Sequence, residues 1–163
     1  MAGPAGSRSI AAACLTVLAA WVTRLWAERG LDPGEPVPVV GGVLRLTLGE
    51  NPGVAFGLLG ESPLVPWLAV LALVAFALYL ARPLSGSRAG GAALGLILGG
   101  GLANLIDRMG DGRVTDYLDF GVGAWRWPTS NLPDAAITVG CLLAVWTLAR
   151  SSAPTSRDEE DAS

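Results

Sequence analysis

Four apolar stretches, at about residues 10–26, 64–81, 89–106 and 135–149, constrain this chain more than anything else in it. An α-helix rises about 1.5 Å per residue, so roughly 20 apolar residues cross a hydrocarbon core of about 30 Å. The third stretch carries no charge at all from Ala89 to Ile106. The first and fourth are short on their own, but Arg24 can snorkel to an interface, and Leu132 to Asp134 together with Arg150 can lengthen the last. The wider composition agrees: 52% of the 163 residues are hydrophobic, only 15% are charged, and the mean hydropathy is +0.50. An integral membrane protein is expected, with one four-span domain over residues 1–150 and a disordered acidic tail over residues 151–163, where the sequence reads "SRDEEDAS". The first stretch has no A-x-A-like site after Trp26 and reads as a span rather than a cleaved leader.

Four spans place both termini on one side. The short hairpin "RPLSGSR" then faces the same side, and two long connections face the other. Every basic residue is arginine, and the arginines divide almost evenly between the two sides, so the positive-inside rule favours a cytoplasmic hairpin only weakly. In the first long connection Leu44, Leu46 and Leu48 alternate with Arg45 and Thr47, the period of a half-buried strand. Gly41 and Gly42 can turn that strand back on Val37 to Val40. "ENPG" reads as a turn, and "VAFGLL" after it is too short to span and is expected at the interface. The fold class that results is an all-α membrane protein of four transmembrane helices with a small extracytoplasmic β-sheet. Glycines 90, 91, 95, 99, 100 and 101 fit close helix packing in lipid. No G-K-[ST] follows them to make a phosphate loop.

Composition also narrows the chemistry. The chain has no histidine, which removes Ser/His and Cys/His catalysis. Its two cysteines, Cys14 and Cys141, lie inside separate spans, where a small apolar role is the default and no disulfide is implied; two separated cysteines also argue against a zinc site. Nothing indicates nucleic-acid binding. Carboxylates remain as the acid and base candidates, and they cluster: Asp107, Arg108, Asp111, Arg113, Asp116 and Asp119 follow directly on the third span, and Asp134 opens the fourth. A carboxylate at the bilayer centre costs at least about 2.5 to 3.5 kcal/mol, so this cluster marks the exit from the membrane. The fourth helix returns from the face at which the third leaves, so Asp116 and Asp134 can meet. Two close carboxylates cannot easily both ionise, and such a pair can activate water and protonate a leaving amine. The plainer reading is that each Asp caps a helix or pairs with Arg108, Arg113 or Arg126. A proton-relay transporter would need carboxylates deeper in the spans.

Four segments in this order, "NPGVAFGLL", "GGGLANLIDR", "GRVTDYLDF" and "NLPDAAITVG", resemble the lipoprotein signal peptidase family, also called signal peptidase II or prolipoprotein signal peptidase. The resemblance covers about residues 19–140. It implies a bacterial intramembrane aspartic endopeptidase that cuts prolipoproteins before a diacylglyceryl-modified cysteine. Such an enzyme works in the cytoplasmic membrane as a monomer in contact with membrane lipid, needs neither metal nor organic cofactor, and has cytoplasmic termini and an active site at the outer face. Carried over by position, Asp116 and Asp134 correspond to the family's catalytic dyad. Asn51, Gly53, Asn104, Asp107, Arg108 and Asn131 correspond to residues that bind substrate or orient the dyad, whereas Asp119 is not expected to be catalytic. Two departures stand out. Ala20 occupies the position of an aspartate that the family usually carries in its first span, ahead of Thr23 and Arg24. The segment before the second aspartate reads Ser130, Asn131, Leu132, Pro133 in place of the usual Phe-Asn-x-Ala. A homologue that binds lipoproteins or lipid without cleaving them is the alternative that these departures raise.

Overall fold

The computed structural model describes residues 4–52 and 64–151. Its elements run α1 (Pro4–Gly30), β1 (Val37–Val40), β2 (Leu44–Asn51), α2 (Val65–Leu84), α3 (Arg88–Asp111), β3 (Val114–Val122), β4 (Trp125–Arg126) and α4 (Leu132–Ser151). All four helices are long and apolar enough to cross a membrane, and each extends beyond the apolar stretch that announces it. Gly53, the "VAFGLL" segment and the acidic tail after Ser151 lie outside the described residues.

α3 is the axis, packed against α1, α2 and α4. Its glycines make that possible. A Cβ at Gly99 would stand 2.8 Å from the Ala13 carbonyl oxygen of α1, and one at Gly100 would stand 2.6 Å from the Pro133 carbonyl oxygen of α4. α4 returns the favour through Gly140, where a Cβ would come within 2.9 Å of the Ala93 carbonyl oxygen. With lipid outside, apolar burial does not drive these helices together, and backbone-to-backbone packing of small residues does. Side chains that face outward, such as Leu15, Leu78 and Leu142, stay about two-thirds exposed, at 66%, 68% and 66%, as suits a lipid-facing surface. Between α2, α3 and α4 lies an apolar core centred on Leu84 and Ile97.

Above the ends of α1 and α3 stands one antiparallel sheet in the order β1-β2-β3-β4. The expected β1–β2 hairpin is present and turns at Gly41, whose φ is +51°. β2 runs on to Asn51, so Glu50 and Asn51, expected in a turn, are ladder residues instead. They pair with Thr115 and Val114, which shows why: β3 supplies the partner strand that a reading of the first connection alone could not see. β3 itself grows straight out of α3, whose last turn is closed by Gly112 in the left-handed conformation. A bridge between Leu118 and Ser130 then draws the chain back along β3 into α4.

Asp119 locks the sheet. It accepts from Arg126 at 2.8 Å, from Arg45 at 3.1 Å and from Thr47 at 3.2 Å, joining β2, β3 and β4. Burial alone would raise its ionisation, but the hydrogen bonds from Arg126, Arg45 and Thr47 outweigh it and hold the carboxyl below its usual range.

Seating α1 and α4 on glycines makes a specific demand. Gly99→Val is expected to cost about 1 to 3 kcal/mol through overpacking against the α1 backbone, read as a lower Tm in detergent. Gly110→Ala, at a position with nothing within 4 Å of the added Cβ, is expected to leave Tm unchanged or raise it.

Candidate active site

Asp116 reaches the site from β3 and Asp134 from the first turn of α4. Side-chain alternation along β3 turns Asp116 inward, where it is 2% exposed, and the register Gly49↔Asp116 and Asn51↔Val114 brings the end of β2 beside it. α3 contributes Asn104 and Arg108, one helical turn apart on the same face. The geometry of α4 is fixed by its cap. Asn131 accepts the Asp134 N–H at 2.9 Å through its side-chain oxygen, and its backbone carbonyl accepts from Ala135 at 3.2 Å. Pro133 lacks the N–H that a first helical turn leaves without an intrahelical partner, so it is accommodated there.

Carboxamides connect the two aspartates. Asn131 Nδ2 donates to Asp116 Oδ1 at 2.8 Å and to Asn104 Oδ1 at 3.3 Å, and Asn104 Nδ2 donates to Asp134 Oδ1 at 2.7 Å. Asn51 Nδ2 donates to the other oxygen of Asp116 at 3.0 Å. A hydrogen-bonded path therefore runs Asp116–Asn131–Asn104–Asp134, and one amide, Asn131, serves both ends. Each asparagine presents both a donor and an acceptor, which is what a chain of such bonds between two acceptors requires.

Burial raises the Asp116 carboxyl to about 6; the Asn51 hydrogen bond opposes it, the Asp134 charge adds to it, and Asn131 and Arg108 act against it. The folded state therefore holds this proton more tightly than the unfolded chain. Stability on this account is lost as pH rises from about 4 through about 6, and at ~1.4 kcal/mol per pH unit ionising Asp116 costs the fold about 3 kcal/mol at neutral pH. A carboxyl retained at that cost sits at a cavity of about 590 Å³ lined by Asn51, Asn104, Arg108, Asp116 and Asp134. The other walls are mostly apolar, with Leu73 from α2, Ile137 and Val139 from α4, Phe120 from β3 and Trp127 from just after β4.

Of the residues singled out by sequence, Asp116, Asp134, Asn51, Asn104, Arg108 and Asn131 thus converge. Gly53 lies outside the described residues. Asp107 is placed differently: it points to the α1 side, pairing with Arg24 at 2.5 Å and accepting the Thr115 N–H at 2.9 Å, so its contact with the site runs through the residue before Asp116. Asp111 caps the turn at Arg113, and Asp119 is held in ion pairs. The plainer reading describes Asp119, whereas Asp107 ties α1 to the start of the strand that carries Asp116. Sequence reasoning missed the walls of the cavity, Leu73, Phe120 and Trp127. It also missed Tyr117, whose hydroxyl bonds α1 and α4. "VTDYLDF" has no simple polar and apolar alternation to disclose β3; its β-formers Val114, Thr115, Tyr117 and Phe120 are the one local signal.

A family model described as signal peptidase (SPase) II matches residues 12–150. The lipoprotein signal peptidase of Geobacillus kaustophilus is 34% identical over 133 residues, covering 81% of this chain and 86% of that protein. That of Nitratidesulfovibrio vulgaris is 41% identical over 130 residues, covering 76% and 78%. Among solved structures, one of a bacterial membrane enzyme superposes with a TM-score of 0.78 at 24% identity, covering 91% of this chain and 92% of the other. A second has a TM-score of 0.73 at 25% identity, covering 86% and 91%. With a match over nearly its whole helical region and relatives of this closeness, the chain belongs to the signal peptidase II family.

Proposed function

We propose that this chain is a protease of bacterial prolipoproteins, an aspartic endopeptidase that cuts on the amino side of a diacylglyceryl-modified cysteine, with Asp116 and Asp134 as its dyad. The observation that carries the reading is the Asp116–Asn131–Asn104–Asp134 path at one cavity. In the shared-proton state one carboxylate takes a proton from water as the water oxygen attacks the scissile carbonyl carbon. The other, the carboxyl that holds its proton to about pH 6, donates to the carbonyl oxygen. Collapse of the tetrahedral intermediate breaks the C–N bond: the proton taken from water passes to the departing cysteine amine, and one hydroxyl of the diol returns its proton to the other carboxylate, which restores the dyad. The two carboxyls titrate as a pair, so this proton belongs to the dyad rather than to one residue for all purposes.

The remaining residues have roles that fit the same chemistry. Asn51 and Asn131 orient Asp116, Asn104 orients Asp134, and Arg108 supplies a cation at the rim of the cavity. Asp107 fixes the start of β3 through Thr115. The apolar wall from α2 and α4 suits the acyl chains of the substrate, which stay among helices while the peptide lies along β3. Membrane lipid fills the outer surface, and the enzyme works as a monomer. Ala20, Ser130 and Pro133 motivate a homologue that binds without cleaving. They weigh little against a first turn of α4 that accommodates Pro133 and still delivers Asp134 to Asn104.

Purified protein is expected to cleave a diacylglyceryl-modified prolipopeptide before the modified cysteine, and Asp116→Asn and Asp134→Asn are each expected to lower kcat at least about a thousandfold without unfolding the protein. Binding of the peptide by folded wild type without cleavage would instead support the non-cleaving homologue. The cavity lies at the α3–β3 end of the bundle; this end is assigned to the outer face of the cytoplasmic membrane with both termini inside, a reading supported by the weak arginine bias of the hairpin between α2 and α3. Reporters inserted at Gly86 and Gly112 are expected on the cytoplasmic and outer sides respectively; the same side for both would contradict this layout.

A further inference from the structure

Tyr117 follows Asp116 on β3, so its side chain points to the opposite face. It is 4% exposed and packs with Ala27 and Leu31 of α1 and its extension. Its hydroxyl donates to Thr23 Oγ1 of α1 at 2.8 Å and accepts the Leu132 N–H of α4 at 3.2 Å. Thr23 in turn donates to the Ala19 carbonyl at 2.8 Å, so the tie ends on the backbone of α1. Burial pushes the phenol's ionisation up beyond what the bonds to Thr23 and Leu132 pull down, so the hydroxyl remains a donor across the working range.

The Leu132 bond matters because of what else the first turn of α4 has. A helix leaves its first N–H groups without intrahelical partners. Here Asn131 takes the N–H of Asp134, Pro133 has none, and Tyr117 takes that of Leu132. The turn that carries Asp134 is therefore fixed by two side chains, and both are tied to Asp116: Asn131 by a hydrogen bond, Tyr117 by the peptide bond between them. Beside the phenol lies a second cavity, of about 200 Å³, lined by Val17, Ala20, Trp21 and Arg24 of α1. Packing on that flank leaves room, and the two hydroxyl bonds hold the ring's outer end where the contacts with Ala27 and Leu31 do not reach.

We infer that Tyr117 is a positioning residue for the dyad: its hydroxyl bridges α1 to the first turn of α4 and so sets the place of Asp134 relative to Asp116. This rests on the peptidase reading above. The phenol touches neither substrate nor the reacting water; it acts on the angle and depth at which α4 presents its carboxyl. A misplacement of about 1 Å at a reacting group can cost on the order of a hundredfold in rate, so a small release of α4 is enough to matter.

The test compares wild type with Tyr117→Phe, Thr23→Val and the double variant, each as full-length protein cleaving a diacylglyceryl-modified prolipopeptide, with kcat and KM determined separately and the folded fraction measured alongside. Tyr117→Phe is expected to lower kcat at least about tenfold with KM within about twofold of wild type. Thr23→Val is expected to lower kcat by less, and to add nothing in the Tyr117→Phe background, since both break one tie. A kcat for Tyr117→Phe equal to wild type would overturn the inference, as would a loss that only tracks the unfolded fraction or a rise in KM with kcat unchanged. If Tyr117→Phe does not fold, Thr23→Val decides by the same split of kcat against KM, with unchanged kcat overturning it. Failure of wild type to cleave would sink the peptidase reading itself, a result distinct from all of these.

Discussion

Two carboxyls that share a buried site must be held against their own repulsion and against the cost of losing water, and here asparagine side chains do the holding. An amide can give a hydrogen bond at one end and receive one at the other without adding a net charge. Asn131 uses both ends, bonding Asp116 and the α4 backbone, while Asn104 passes the connection on to Asp134. Arginines in those places would have pinned both aspartates as permanent anions, as Arg45 and Arg126 do for Asp119. The contrast between Asp116 and Asp119, three residues apart on one strand and with ionisation shifted in opposite directions, follows from that difference in partners.

The network depends in turn on how close the helices come. Asn104 can reach Asp134 because α3 and α4 touch at Gly100 and Gly140, and α1 can reach β3 because Gly95 and Gly99 let it lie flat against α3. In lipid the apolar surfaces of the helices gain little from each other, so the small residues of α3 both assemble the bundle and set the height of its polar residues. The sheet then works as a second fixture. Its β2–β3 register carries Asn51 to Asp116, and the Asp119 lock keeps that register.

Much of this was legible in the sequence. The four helices follow from run length and hydropathy, because a bilayer demands a minimum length that few other environments do. The β1–β2 hairpin follows from the alternation in "VLRLTL" and the glycines before it. β3 did not emerge, since its inward face mixes Val114, Asp116 and Leu118 and so breaks the simple polar and apolar alternation. Asp116 and Asp134 stood out because the chain lacks histidine and because the third and fourth spans meet at one face, and the resemblance to a known family gave them and the three asparagines their roles. What pairs with what could not be read: that Asn131 bridges the two aspartates and that Asp107 faces α1 depend on tertiary approach. Pro133, a departure from the family's usual residue, proves compatible with the turn because that position needs no donor.

An infrared titration of the carboxyl groups tests most directly whether the amide network holds Asp116 as a proton-retaining member of a pair. The expected result is a carboxyl that ionises at about pH 6, is missing from Asp116→Asn, and moves to lower pH in Asp134→Asn because the neighbouring negative charge has gone. Complete ionisation of every carboxyl below about pH 5 in wild type, within the ordinary range for exposed groups, would contradict it.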